Sequence, residues 1–212
     1  MRDVVGSLAD LRRAYDLTER EVARLSAIDS EFRETNAHTN LVSRATLAHR
    51  WERHYADSLQ LWSCVPIGAR SLLDVGSGGG FPGLPLAALA QDRRPTMRVT
   101  LCESIAKKAA FLERTSVAAG LTNTTIEACR VEHLSSRYEV VTARAVSALP
   151  RLLPLVAPRI EPGGVLIAPK GRNAEAELRE ARKTWRMTAK RVKSATDPDA
   201  TILLLTDLER RS

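Results

Sequence analysis

The sequence predicts an α/β fold in which a mostly parallel, seven-stranded sheet is covered by helices and preceded by an N-terminal helical extension. From residue 70 onward, short runs rich in leucine and β-branched residues alternate with helical segments, which is typical of such sheets. Before that point, apolar residues recur at helical spacing. The 212 residues, 44% of them hydrophobic, suffice for one buried core. We expect an extension over residues 1–68, packed on a sheet domain over residues 69–212.

Two main helices are predicted in the extension. Thr18 and Glu21 have the spacing of a capping box at the start of one helix. A second helix is predicted over residues 45–64, and the polar stretch over residues 36–43 is predicted as a loop. The apolar stripe of the second helix, which we assign to the core, consists of Leu47, Trp51, Tyr55, Leu59 and Trp62.

Seven strands are predicted in the sheet domain. They cover residues 71–75, 99–103, 124–128, 139–143, 165–169, 188–192 and 202–205. The last two are joined by a turn around Pro198. Because open α/β sheets bind ligands at the carboxyl ends of their parallel strands, we expect the functional side chains at that edge.

Composition and charge exclude several classes of protein. No apolar run approaches the roughly 20 residues of a membrane span, and the N-terminus lacks the apolar segment of a secretory signal. The three cysteines form no CxxC pair, which indicates a reduced compartment. We therefore expect a cytoplasmic protein without membrane contact, and a monomer. The net charge of +7 favours a polyanionic partner.

A glycine-rich loop, within the stretch LLDVGSGGGFPGLP, follows the first strand and opens a helix. Gly78, Gly80 and Gly83 match the GxGxxG pattern of dinucleotide sites. Asp74, Gly76 and Gly78 begin the alternative pattern of S-adenosyl-L-methionine sites, an acidic residue, a spacer and then GxGxG. The second pattern fits better, because Asp74 attracts the methionine ammonium group but repels a pyrophosphate.

Glu103 ends the second strand, where a carboxylate accepts hydrogen bonds from both ribose hydroxyls. Both cofactors require this acid, so it supports an adenosine-containing ligand without choosing between them. No GxxxxGK[ST] motif occurs, which argues against phosphoryl transfer. The Asn/Asp-Pro-Pro-aromatic motif of amine methylation is also missing, and the cysteines are placed as structural thiols rather than nucleophiles.

Other polar residues follow the predicted strands. Glu132 follows the third strand, Arg144 the fourth, and Lys170 and Arg172 the fifth. The position of Arg144 at the ligand edge predicts a functional role. Residues 170–193, here called the basic strip, hold nine basic and three acidic residues. The strip is interpreted either as a phosphate-binding surface or as a solvated helix face.

His54, Asp57 and Ser58 fall on one face of the second helix and superficially resemble a hydrolase triad. A serine in the middle of a helix lacks the exposed, strained position of a nucleophile, so the triad is rejected. His49 and His54 are five residues apart and point in different directions on a helix, so no zinc pair and no metal site are expected.

Several motifs, in this order and spacing, resemble those of one family. They are Asn36, Asn40-Leu41-Val42-Ser43, Arg53-His54, Asp57-Ser58-Leu59, the loop from Asp74 to Gly83, Arg130-Val131-Glu132, Arg144-Ala145 and Pro169-Lys170-Gly171. In these motifs the chain resembles the bacterial 16S ribosomal RNA guanine-N7 methyltransferases, the glucose-inhibited division protein B family. Gly79 and the spacer residues 37–39 depart mildly from the family pattern.

The resemblance implies a class I S-adenosyl-L-methionine-dependent methyltransferase, which has a Rossmann-like fold, and a 16S ribosomal RNA or small ribosomal subunit as substrate. Matching positions imply cofactor contacts for Gly76, Phe81, Val131, Glu132 and Arg144. Together with the residues argued above, the cofactor set also includes Asp74, Gly78 and Glu103. The residues assigned to substrate binding are Asn40, His54, Lys170 and Arg172.

The chemistry implied by the resemblance agrees with the missing motifs. Guanine N7 carries a lone pair and no proton, so neither a general base nor a covalent nucleophile is expected. Positioning, with Arg144 beside the methionine end or the incoming base, would supply up to roughly 7–11 kcal/mol. RNA contacts are expected from the basic strip, Arg44 and Arg53. Two alternatives stay open: a small-molecule methyltransferase, and an RNA-binding module with a vestigial cofactor site.

Overall fold

The computed structural model describes residues 5–39 and 41–211, apart from the side chains of residues 44 and 45. In this part of the chain one sheet has seven strands: β1 (Ser71–Val75), β2 (Arg98–Cys102), β3 (Thr124–Glu127), β4 (Tyr138–Thr142), β5 (Ile160–Lys170), β6 (Trp185–Lys193) and β7 (Thr201–Arg210). Their order is β3-β2-β1-β4-β5-β7-β6. Strand β7 runs antiparallel to both neighbours, and the other pairs are parallel. The predicted mostly parallel, seven-stranded sheet is confirmed.

The last three strands are longer than predicted. Strand β5 begins at Ile160, five residues before the predicted start, because Ile160 pairs with Tyr138 across a register shift. The intervening Pro162, Gly163 and Gly164 have low strand propensity and concealed this extension in the sequence. Strands β6 and β7 extend because they pair with each other along almost their whole length.

Successive residues of the sheet enter two separate cores. On one face, Leu72 packs in a cluster with α5 (Gly83–Arg93) and α6 (Ala106–Ala118). On the other face, Leu73 packs in a cluster with α7 (Leu149–Val156) and α8 (Ala174–Ala181). This is the alternation expected of a strand with both faces covered. In the described part of the chain, no helix combines the length and the apolar character needed to cross a bilayer.

The N-terminal helices α1 (Leu8–Tyr15) and α2 (Glu19–His38) bury their apolar residues in the same cluster as Leu72. The capping box of Thr18 and Glu21 is confirmed at the start of α2. The loop predicted from residue 36 is wrong at its beginning, because α2 continues to His38. Asn36 is buried there, and its Oδ1 accepts a hydrogen bond from the backbone nitrogen of Val42 at 2.9 Å.

The second predicted helix is not continuous. It consists of α3 (Arg44–Leu47), a π-helical segment (Trp51–Ala56), α4 (Asp57–Leu59) and a 3-10 segment (Gln60–Cys64). The π-helical segment buries His54, Tyr55 and Ala56 in succession. Such segments recur at functional sites. Here the π-helical segment lies next to the ligand edge of the sheet.

Candidate functional site

Two adjoining cavities lie at the carboxyl ends of the parallel strands. Strand β1 pairs with β2 on one side and with β4 on the other, so β1 and β4 form the switch point at which open α/β sheets bind ligands. The larger cavity has a volume of about 1040 Å³ and the smaller one about 220 Å³. Gly76 and Val146 line both cavities and therefore form the neck between them.

The neck requires a glycine at residue 76. Gly76 follows β1 with a φ of +66°, a conformation that residues with a side chain rarely adopt. A Cβ at this position would lie 3.0 Å from Cγ2 of Val146 and would fill the passage between the cavities. The backbone of the loop is therefore left open to a ligand that extends from one cavity into the other.

The carboxylate of Asp74 holds the loop rather than lining a cavity. Asp74 is 0% exposed; its Oδ2 accepts a hydrogen bond from the backbone nitrogen of Gly83 at 3.2 Å, and its Oδ1 accepts one from Oγ1 of Thr142 at 2.8 Å. A Cβ on Gly83 would lie 2.7 Å from Oδ2, so the close approach needs glycine. Burial raises the pKa of Asp74 to about 6. The expected direct attraction of a methionine ammonium group is corrected, because the carboxylate points to the start of α5.

This placement also decides between the two glycine patterns. A dinucleotide site uses the free N-terminus of the helix after the loop to bind pyrophosphate. Here the Asp74 carboxylate already occupies that end of α5. A second anion would meet a like charge there, so the dinucleotide pattern of Gly78, Gly80 and Gly83 does not describe this site.

Glu103 also orders the loop. Its Oε2 accepts a hydrogen bond from the backbone nitrogen of Gly78 at 2.9 Å, and its Oε1 accepts one from that of Ile105 at 2.8 Å. Glu103 is buried and lines neither cavity. A carboxylate has about four acceptor sites, so two remain for ribose hydroxyls. The ribose contact stays a prediction.

The smaller cavity brings together residues that follow β1, β2 and β3. Val131 and Glu132 line it together with Ser104 and Cys129, and the cofactor contacts that the resemblance implies for the first two stay a prediction. The thiol of Cys102, which also lines it, donates a hydrogen bond to the backbone oxygen of Cys129 at 3.2 Å. Burial raises the pKa of this thiol, so Cys102 is a poor nucleophile.

Arg144 is held in the larger cavity by contacts with the N-terminal segment. Its Nη1 donates to Oδ2 of Asp57 and to the backbone oxygen of Arg53, at 3.0 and 3.1 Å. Its Cζ lies 5.6 Å from the centroid of the Phe81 ring. The following residue, Ala145, adopts a φ of +56°, which turns the chain sharply after β4. Arg144 and Phe81 are thus brought together at the ligand edge, where the sequence placed them.

His54 is a packing partner of the same group. Its ring stacks on Phe81 with the centroids 5.0 Å apart, and its Nδ1 lies 3.4 Å from Nη2 of Arg144. Burial and the positive charge of Arg144 lower the pKa of His54 to about 4, so the imidazole is neutral near pH 7. The hydroxyl of Ser58 is buried and donates to the backbone oxygen of His54 at 2.6 Å, which agrees with the rejection of a hydrolase triad.

Of the three other candidates for substrate binding, Lys170 and Arg172 differ in exposure. Lys170 lines the larger cavity, where its Nζ donates to the backbone oxygen of Ser147 at 2.7 Å and lies 3.0 Å from Oε2 of Glu177. The side chain of Arg172 is 81% exposed and lies outside the cavity wall. Asn40 lies outside the described residues, so its assignment stays a prediction.

The basic strip does not form one surface. Along β6, Trp185 packs in the core on the α7 side, whereas Val192 packs in the opposite core. Strand alternation therefore places Lys190 and Arg191 on different faces of the sheet. Arg191 also forms an ion pair with Glu175 on α8 at 2.5 Å. The expectation of a continuous phosphate-binding strip is corrected.

Three features of the candidate site were missed in the sequence. Asp57 was considered as a hydrolase component and as part of a family motif, whereas its ion pair with Arg144 was not predicted. The turn between β6 and β7, which includes Thr196 and Asp197, forms part of the cavity wall. Lys108, on the first turn of α6, lines the same cavity. The resemblance in the segment around His54 and Asp57 was the one signal for the first feature.

Comparison with known proteins identifies the family. Residues 22–202 match the family model of rRNA small subunit methyltransferase G. The chain belongs to the rRNA small subunit methyltransferase G family. It is 41% identical over 203 residues to the ribosomal RNA small subunit methyltransferase G of Rhodospirillum centenum, covering 95% of this chain and 91% of that protein. The protein of the same name from Methylobacterium nodulans is 45% identical over 172 residues, 80% of each chain.

Solved structures share the fold of this family member. A putative O-methyltransferase from Klebsiella pneumoniae has a TM-score of 0.58 at 14% identity, covering 92% of this chain and 94% of that one. An O-methyltransferase from Bacillus cereus in complex with S-adenosylhomocysteine (SAH) has a TM-score of 0.56 at 16% identity, covering 85% and 90%. The predicted class I methyltransferase fold is confirmed.

Proposed function

We propose that this protein transfers a methyl group from S-adenosyl-L-methionine to N7 of a guanine in the 16S ribosomal RNA of the small ribosomal subunit. The observation that carries the proposal is the pair of cavities joined at Gly76 and Val146, with a positioned guanidinium in the larger one. Family membership supports both the donor and the RNA acceptor. We further expect a monomeric, cytoplasmic enzyme.

The residues of the two cavities fit an adenosine-containing cofactor. The smaller cavity would take the adenosine between Val131, Glu132 and the backbone of Gly76, because the neck is free of a Cβ. Phe81 and Arg144 would face the methionine end from the larger cavity. When bound, S-adenosyl-L-methionine supplies an electrophilic methyl group on a sulfonium. The chain's own contribution is to hold the loop rigid through Asp74 and Glu103.

The larger cavity is suited to an acceptor that needs no deprotonation. Guanine N7 has a lone pair in the ring plane and carries no proton. Among the described residues that line this cavity, His54 is the histidine that could act as a general base, and its low pKa makes it a weak one. The guanidinium of Arg144 has N–H groups of the kind that donate to guanine O6. Catalysis by this chain would consist of orientation, which agrees with the missing amine and cysteine motifs.

Contacts with RNA are proposed at the rim of the larger cavity. Arg53 is exposed and Lys108 half-buried, and neither forms an ion pair with the residues that the structure describes. Unpaired cations beside a concave site are suited to backbone phosphates. The exposed Arg172 lies near the same wall, next to Gly171. Whether naked RNA or an assembled subunit is bound is decided by the substrate comparison below.

The test is transfer of tritium from labelled S-adenosyl-L-methionine to small-subunit RNA, free and assembled. RNA from a strain lacking this gene is compared with RNA from the parent strain. We expect label only in the RNA from the deficient strain. Mapping of N7-methylguanine is expected to place this label at one guanine. Cofactor binding without label in RNA or subunits would favour a small-molecule acceptor, and absence of cofactor binding would favour a vestigial site.

A further inference from the structure

The two half-buried cations of the larger cavity are each matched with one carboxylate from a different part of the chain. Arg144 pairs with Asp57 at 3.0 Å, and Lys170 pairs with Glu177 at 3.0 Å. The side chains of Arg144 and Asp57 are 18% and 20% exposed, so water screens their charges only in part. Arg53 and Lys108, at the rim of this cavity, form no such pairs within the described residues.

Asp57 is oriented by neutral groups on its other side. Its Oδ1 accepts hydrogen bonds from Nε2 of Gln60 and from Oγ1 of Thr196, both at 2.8 Å. Its Oδ2 faces Nη1 of Arg144. Gln60, Thr196 and Arg144 therefore hold the carboxylate in place. Of these three side chains, that of Arg144 is charged, so it balances the charge of Asp57. The pair presents guanidinium N–H groups to the cavity with almost no net charge.

A neutral site matters for the proposed reaction because positive charge is present throughout. S-adenosyl-L-methionine carries a net charge of +1, and the transferred methyl group leaves the charge on the guanine, while SAH is neutral overall. An uncompensated guanidinium at the position of Arg144 would repel both the donor and the methylated product more strongly than the exposed Arg53 does, because less water screens its charge. This argument rests on the proposed cofactor and acceptor.

We propose that Asp57 is a positioning and charge-compensating residue, which holds Arg144 in place and cancels its positive charge so that the cavity accepts a cationic donor. A purely structural ion pair would affect the binding of donor and demethylated product alike. Charge compensation affects them differently, because the two ligands differ by the methyl group and one positive charge. The ratio of their dissociation constants therefore isolates the electrostatic role.

The experiment measures the dissociation constants of S-adenosyl-L-methionine and SAH by titration calorimetry for five proteins. These are the wild type, Asp57→Asn, Arg144→Met, the double variant and the control Thr196→Val. The control removes one hydrogen bond to Asp57 without a change of charge. Any general loosening of the site cancels in the ratio for each protein, and so does a misfolded fraction.

Asp57→Asn is expected to weaken donor binding about fivefold more than SAH binding, the order that Coulomb's law gives for one charge in a partly solvated site. Arg144→Met leaves Asp57 uncompensated, so the ratio is expected to shift in the opposite direction. The double variant and Thr196→Val are expected to keep the wild-type ratio. If Asp57→Asn does not fold, the ratio for Arg144→Met is compared with the ratio for the double variant, because these two proteins also differ only by the charge of residue 57.

A ratio that stays constant across the folded variants would overturn the proposal and leave the proposed function intact. A shift in the same direction for Asp57→Asn and Arg144→Met would also overturn it, because opposite charges were removed. Failure of the wild type to bind either ligand would instead contradict the proposed cofactor. The two failures are therefore distinguishable.

Discussion

The carboxylate of Asp74 and the backbone nitrogen of Gly83 are joined by a hydrogen bond of 3.2 Å at the start of α5. Through this bond an acidic residue that sequence patterns associate with the cofactor becomes part of the loop's own framework. The loop backbone that we propose contacts adenosine is held in place by Asp74 and Glu103. Much of the site's geometry therefore depends on residues that line neither cavity.

The buried carboxylate of Asp74 predicts a pH-dependent contribution to stability. Its folded-state pKa of about 6 lies above the value of roughly 4 in an unfolded chain, so the folded protein binds the proton more tightly. Its contribution is therefore fully favourable below about pH 4 and decreases up to about pH 6. Relative to the wild type, Asp74→Asn should gain up to ~3 kcal/mol in free energy of unfolding between pH 4 and pH 7. Urea unfolding at both pH values measures this; an equal difference at both would contradict it.

Replacement of Glu103 by alanine should weaken cofactor binding and destabilise the loop. The backbone nitrogens of Gly78 and Ile105 would lose their acceptors, at a cost of about 1–3 kcal/mol for each group that stays buried. We expect cofactor affinity to fall at least tenfold by calorimetry, with a lower free energy of unfolding in urea. Glu161→Ala, at an exposed position of β5, is the control and should change neither quantity.

Arg144→Lys tests whether the guanidinium fork is needed in addition to its charge. Lysine preserves the charge opposite Asp57 but has no planar pair of donors. Turnover on RNA should fall at least tenfold, about 1.4 kcal/mol in transition-state stabilisation, while the variant stays folded. Single-turnover methyl transfer measures this. A wild-type rate in this variant would show that the positive charge at position 144 is sufficient and that the guanidinium fork is not needed.

Salt dependence should locate the RNA contacts at the cavity rim. If Arg53 and Lys108 each neutralise one phosphate, Arg53→Gln with Lys108→Gln should lower the slope of log affinity against log salt by about 1.4–1.8. Arg191→Gln is the matched control, because its cation already pairs with Glu175. Filter-binding titrations at several salt concentrations measure the slopes. A larger change of slope for Arg191→Gln than for the double variant would indicate that RNA binds to the basic strip instead of the cavity rim.

The sequence was sufficient for the sheet and for the position of the glycine loop, because alternating strand and helix patterns and glycine spacing are local properties. Strand β1 was predicted at its observed residues, and Arg144 and Val131 do lie at the cavities. The pairing of Arg144 with Asp57 joins residues 87 positions apart, a separation that no local pattern encodes.

Two further differences have physical causes. The π-helical segment over Trp51–Ala56 inserts a wide turn where apolar spacing alone indicated a regular helix. Asp74 turns away from the ligand edge because Gly83 and Thr142 offer donors inside the core, and burial of those donors without an acceptor would be costly. Side-chain direction at a strand end depends on such tertiary partners.

Asp57 precedes β1 whereas Arg144 follows β4, and this separation has a consequence for chimeric proteins. A hybrid that joined the strands and glycine loop of this chain to a foreign N-terminal segment would have to replace the apolar residues that α1 and α2 bury against the sheet. It would lose the acid facing Arg144, together with the wall that His54 and Arg53 provide. A working hybrid therefore needs an acidic residue engineered opposite Arg144, because the transplanted strands and loop bring the cation of this ion pair without its carboxylate.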